Sequence, residues 1–286
     1  MNNSLFMKAG VTLLALSFIF TAGQLIAPYD SVGQGDLMIM PRRVILDANK
    51  RTQELTVANT GSDSTKYLIS VIHYRMRENG AFEQIVQPDS AQHFADKNFR
   101  FFPRTVTLAP NESQTIKIQA INTNELQPGE YRSHLYFRAV TKNLPVDTEI
   151  SKPPKSMSVQ LVPTFGIAIP VIIRSGALTL NVKLEKSMFS INTDGIPQLN
   201  MVFKRTGNIS VYGDIKVEHV SATGRTTQVG IAKGFAIYTP NSVRNFALNL
   251  DKNSAVDYHK GKLNIIYTTL SETKPIVITS LQVDLL

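Results

Sequence analysis

The chain contains no cysteine in its 286 residues. That absence excludes disulfides, thiol catalysis, cysteine-ligated zinc and a lipid-modified N-terminal cysteine, so the fold must rest on core burial alone. Tryptophan is absent too, and the tyrosines are scattered, which argues against the aromatic platforms of a carbohydrate-binding module. Charge of one sign is never concentrated. The formal net charge is +8, yet the basic pairs Arg42-Arg43, Lys50-Arg51 and Lys204-Arg205 stand apart, without the like-charged block of a nucleic-acid-binding tail. Nucleic acid is therefore not expected as a partner, and the basic surface reads as solubility or as an aid in capturing acidic partners.

Long apolar runs are also scarce. Lys8 precedes the run Val11–Phe20, and the small residues Thr21, Ala22 and Gly23 follow it. A positive start, a short apolar stretch and a small-residue region are the pattern of a secretory signal. The run is too short to favour a bilayer-spanning helix. A signal over residues 1–23 is expected, with cleavage after Gly23 or after Ala27, and an uncleaved anchor is the alternative. Removing it takes away Lys8 and no acid, which lowers the net charge from +8 to +7. An extracytoplasmic location follows.

Catalytic signatures are missing as well. His73, His93, His134, His219 and His259 occur singly, without short metal-ligand spacing, and read as solvated or structural side chains. No Gly-x-Ser-x-Gly elbow, phosphate-binding loop or dinucleotide fingerprint occurs. Acidic candidates such as Asp47 and Glu54 read as turn and strand-face charges. The expectation is a protein that is not an enzyme and binds no metal or cofactor.

What is present is period-two alternation. It runs through Leu55-Thr-Val57, Thr115–Ala120, Tyr131–Ala139, Leu178–Leu184 and Leu263–Tyr267. Turn signals separate the runs, at Asn59-Thr-Gly61, Asn79-Gly80, Pro110-Asn111, Asp194-Gly195, Thr206-Gly-Asn208, Thr223-Gly224 and Lys260-Gly261. Many short strands at such spacing predict an all-β chain. The expected architecture is two immunoglobulin-like β-sandwich domains in tandem after the N-terminal signal, over 36–174 and 177–286. The break is placed near Arg174-Ser-Gly176. In Leu126-Gln-Pro-Gly-Glu-Tyr131 a tyrosine enters a strand just after a turn. This matches a tyrosine corner, whose hydroxyl bonds back to upstream backbone, with Ser133 where an antibody domain carries a cysteine. An ordinary strand-starting tyrosine is the plainer reading.

Residues 157–173 carry the functional question. One strand face there presents Val159, Leu161, Pro163, Phe165, Ile167 and Ile169. Pro163 and Pro170 cannot donate to a ladder, which predicts a strand at a sheet edge. A long apolar edge blunted only by proline is a liability unless it is meant to pair. Either it pairs with another chain, or both its faces are buried within this one.

Three blocks weigh on that choice. Pro41-Arg-Arg43-Val-Ile-Leu-Asp47 leads into the strand ending Val57-Ala-Asn59-Thr. Phe102–Ile118 follows, and then Tyr131-Arg-Ser-His-Leu-Tyr-Phe137. In this order the blocks resemble the periplasmic pilus and fimbrial assembly chaperones, over about residues 38–174. The resemblance implies a periplasmic chaperone that donates an edge strand to incomplete pilus subunits, before assembly at an outer-membrane usher. The donated face is residues 159–169, about five apolar side chains at roughly 1.5–3 kcal/mol each when buried. It also implies that an arginine on the first strand and a lysine on the edge strand hold the subunit's C-terminal carboxylate. Arg43 matches the arginine. The lysine is missing, its place falling near Pro170, with Arg174 of the same strand parity as the candidate substitute. An exported structural or adhesin-like sandwich of a surface appendage is the alternative.

Overall fold

The computed structural model describes residues 37–140, 166–252, 255–270 and 274–285, and the donor-strand positions Val159, Leu161, Pro163 and Phe165 lie outside them. Among the described residues every regular element is a strand. The chain folds as two immunoglobulin-like β-sandwiches in tandem. In chain order the first holds β1 (Leu37–Met40), β2 (Val44–Leu46), β3 (Thr52–Asn59), β4 (Thr65–Met76), β5 (Phe82–Ile85), β6 (Phe99–Phe102), β7 (Thr105–Leu108), β8 (Ser113–Ala120), β9 (Gly129–Ala139) and β10 (Gly166–Ser175). The second holds β11 (Leu180–Ile191), β12 (Pro197–Gly207), β13 (Val211–Val220), β14 (Thr226–Ile237), β15 (Val243–Asn249), β16 (Lys262–Thr269) and β17 (Val277–Asp284).

In the first sandwich one sheet runs β1-β3-β8-β6 and the other β2-β10-β9-β4-β5, with β7 also on β4. Alternation places Leu55 and Val57 of β3, Ile116 and Ile118 of β8, and Leu135 and Phe137 of β9 in one core, with the polar residues between them facing outward. The second sandwich pairs β11-β12-β15 against β14-β13-β16-β17 around Leu199, Met201, Phe203, Ile215, Val217, Ile265 and Tyr267. Each turn signal of the sequence joins two strands. At the junction Gly176 takes φ +65°, a left-handed conformation that favours glycine, and sets its Cα side against Pro128.

Two local features shape the site. The chain leaves the first sheet at Met40 and enters the second at Val44, so Pro41-Arg42-Arg43 bridges the two sheets and delivers Arg43 to the start of β2. The strand β9 also alternates on both faces. Its odd positions Leu135 and Phe137 fill the core, while Glu130, Arg132 and His134 turn away from it and are buried all the same. The second sandwich covers Glu130 and Arg132, while Tyr74 and Phe82 of the first cover His134. A small apolar cluster of Met76, Ile172, Ala236 and Tyr238 closes that junction.

Candidate functional site

The expectation of an edge strand holds for one half of β10 and needs correction for the other. Along its whole length β10 pairs antiparallel with β9, from Gly166 opposite Arg138 to Ser175 opposite Gly129. On its other margin β2 pairs with it in parallel, at Val171, Ile172 and Ile173 only. Residues 171–173 are therefore interior to the sheet. The three-residue β2 reaches no further because the chain has just crossed from the other sheet at Pro41. Residues 166–170 keep that margin unpaired among the described residues. Pro170, without an N–H, sits where the covered part gives way to the open part.

Side chains divide in the same way. Ile169, Val171 and Ile173 lie in the first core, Ile169 at 4% exposure, whereas Ile167 on the same face is 37% exposed. Of the donor positions within the described residues, then, Ile169 is taken up by its own sandwich and Ile167 stands at the rim. The odd face of β10 fills its own core at one end and runs on past that core at the other.

Behind this strand lies the junction between sandwiches. Arg43 is half-buried, and its guanidinium carbon lies 3.8 Å from the ring centroid of Tyr212 and 5.2 Å from that of Tyr238. Its Nη2 donates to Tyr238 Oη at 2.6 Å, and its Nε is buried with no partner among the described residues. Both tyrosines belong to the second sandwich, so the arginine expected as a carboxylate anchor is stacked between domains with donor capacity in reserve.

Arg174 is differently placed. Its Nη2 and Nε donate to Glu130 Oε2 at 3.2 and 3.4 Å, and Nη2 also donates to the Ser210 carbonyl at 3.0 Å. The same Oε2 accepts from Ser210 N at 3.0 Å and from Ser210 Oγ at 2.6 Å. Glu130 and Ser210 are buried. Arg174 is thus a strut that ties β9 and β10 to β13.

Tyr131 donates from Oη to the Gln127 carbonyl at 3.4 Å, closing the turn that precedes β9. Ser133 Oγ accepts from Ala95 N at 2.9 Å and lies 3.1 Å from His73 Nδ1. Four of the five histidines have structural settings, His93 packing on Tyr131 with 4.9 Å between ring centroids. His73 stacks on Phe94 with 3.8 Å between ring centroids, His219 Nε2 lies 2.8 Å from the Lys260 carbonyl, and His134 packs edge-on to Tyr74 at 5.1 Å. Burial, and then the nearby Arg132, His73 and Arg43, push the His134 imidazole down to about 3, so it is neutral at any ordinary pH. Burial likewise lowers the His73 value. No group of three or more side chains able to hold a metal ion occurs among the described residues.

One functional candidate escaped the sequence reading. Arg132 is 2% exposed, its guanidinium carbon lies 4.1 Å from the Tyr238 ring centroid, and its Nη2 donates to the Thr239 carbonyl at 3.2 Å. Within Tyr131–Phe137 it looked like an outward-facing strand residue. The available signal was the run of ionisable residues at even positions, Glu130, Arg132 and His134, in a strand that also carries Ser133 and Arg138.

A scan against protein-family models and a search of curated proteins both find no match. Among solved structures the chain is similar to the Pseudomonas aeruginosa CupB2 chaperone at 16% identity and a TM-score of 0.41, over 87% of this chain and 100% of that one. It is similar to the class 5 fimbriae chaperone CfaA at 16% identity and a TM-score of 0.40, over 87% and 99%. A third is the Salmonella enterica SafA pilin in complex with the SafB chaperone, at 13% identity and a TM-score of 0.40, over 88% and 97%. All three are structures of chaperones. At such identities the likeness concerns the fold.

Proposed function

We propose that this protein is a periplasmic chaperone that holds incomplete pilus or fimbrial subunits by lending them the open margin of β10. The observation that supports the reading is the half-covered strand. β2 closes residues 171–173, and among the described residues the backbone of 166–170 keeps one margin unpaired, with hydrogen-bonding groups that a foreign strand can pair. The face that fills the chain's own core at Ile169, Val171 and Ile173 also carries Ile167, and in the sequence Phe165, Pro163, Leu161 and Val159 share its parity. The first three complete this sandwich and the rest serve a guest. Five such side chains at roughly 1.5–3 kcal/mol each give a gross burial large enough to offset association and ordering costs.

Arg43 is the proposed anchor for the guest's C-terminal carboxylate, with Arg174 as the strut that keeps the two sandwiches in register around it. A guanidinium already stacked on Tyr212 and bonded to Tyr238 is pre-organised to accept a carboxylate. No residue is assigned a catalytic role and no cofactor is invoked.

The test is capture of a pilus subunit co-expressed in the periplasm. Ile167→Asp introduces a charge at an exposed position, so the chaperone folds and the subunit is no longer retained. Undiminished co-purification with folded Ile167→Asp and with Arg43→Ala would refute the reading.

A further inference from the structure

Arg132 is a buried cation that forms no salt bridge among the described residues, the nearest acid acting on it being Glu130. Its Nη2 is shared between the Thr239 carbonyl at 3.2 Å and the Tyr74 carbonyl at 3.4 Å, while Nε and Nη1 are buried with no partner among the described residues. Glu130, whose charge bears on it, has Oε2 committed to Arg174 and Ser210. His134, two residues along the same face, is neutral and supplies no negative charge. A buried guanidinium in that condition is costly to the free protein, and replacement by an apolar residue is expected to stabilise it.

The phenol ring of Tyr238 connects it to the anchor. Arg132 lies over that ring at 4.1 Å and Arg43 at 5.2 Å, with Arg43 Nη2 bonded to the hydroxyl. The two guanidinium carbons can be no further apart than those two distances laid end to end. Two cations thus share one aromatic ring, and neither forms a salt bridge among the described residues.

Building on the anchor reading above, we propose that Arg132 is the second cation of the carboxylate site. It is a positioning residue that holds Tyr238 and supplies positive potential from beneath, while Arg43 makes the contact. The anion is the C-terminal carboxylate of a bound strand. At the low effective dielectric of a covered junction, a charge one ring away still favours an anion over its neutral amide by about tenfold or more.

The test uses the full-length protein and two synthetic alternating valine–threonine peptides, one ending in a free carboxylate and one in an amide. The measured quantity is the ratio of their Kd values. The wild type prefers the free acid by about tenfold or more. Arg132→Met, which removes charge and keeps apolar volume, retains or raises Tm yet brings the ratio towards unity. Arg132→Gln, which can still bond the two carbonyls, shows the same loss, and Arg132→Lys recovers the preference. An undiminished preference in either folded neutral variant overturns the proposal while leaving the Arg43 anchor standing. A wild type that does not distinguish acid from amide overturns both.

Discussion

Removal of the Glu130 carboxylate is the perturbation whose consequences the structure defines most closely. Its Oε2 accepts from Ser210 N, Ser210 Oγ and the Arg174 guanidinium, and its side chain is fully buried while that of Arg174 is 21% exposed. In Glu130→Ala the buried Ser210 N–H and hydroxyl lose their acceptor, and Arg174 keeps only the Ser210 carbonyl. Breaking a buried pair from one side costs about 3–5 kcal/mol, because the abandoned groups remain desolvated. Arg174→Met abandons the carboxylate but opens onto solvent, so its cost lies toward the lower end of that range, about 3 kcal/mol. The double variant removes both charges together. Its cost falls short of the sum of the single variants by about 1–3 kcal/mol, the coupling expected of residues in one network. Urea unfolding followed by circular dichroism and by tyrosine emission reads these values, the chain having no tryptophan. The two probes also reveal whether the sandwiches unfold together. A coupling within about 0.3 kcal/mol of zero would mean that the strut contributes nothing beyond its separate parts, and the account of the junction would be wrong.

Three further outcomes are expected. His134 is held neutral at a value of about 3 against 6.5 unfolded, so the unfolded chain binds its proton first as pH falls and stability drops below about pH 6.5. Between pH 7 and 5 the wild type should lose about 2 kcal/mol more than His134→Phe, and equal losses in urea titrations would sink the assignment. Ile169→Asp places a carboxylate in the first core and should destabilise by more than about 3 kcal/mol, whereas Ile167→Asp should stay within about 1 kcal/mol of wild type; equal effects would contradict the division of β10. Phe203→Ala empties a site packed by Phe235 at 4.8 Å and Tyr267 at 5.8 Å between centroids, and should cost about 3–5 kcal/mol by thermal denaturation. A loss below about 1 kcal/mol would show that the second core is not packed as described.

Period-two alternation and the turn residues were enough, read alone, to establish the strand content and the core faces. Leu55, Val57, Ile116, Ile118, Leu135 and Phe137 fall inside as their parity requires, and every quoted turn joins two strands. Asp47 caps its own turn, with Oδ1 accepting from Asn49 N and Lys50 N, as its sequence setting indicated. Alternation states which residues share a face. It does not state what covers that face, and this is where the tertiary structure decided. Glu130, Arg132 and His134 have the parity of a solvent-facing row, yet the second sandwich closes over the first two and Tyr74 and Phe82 over the third, leaving a strut, a buried cation without a salt bridge and a neutral imidazole. Arg174 had the parity of an anchor but is claimed by Glu130, a contact between neighbouring strands that no local pattern encodes. Pro170 marked β10 as an edge, correctly for 166–170, while β2 covers 171–173 only because the chain changes sheets at Pro41. Pairing and coverage depend on partners distant in sequence, and spacing along one strand carries no record of them.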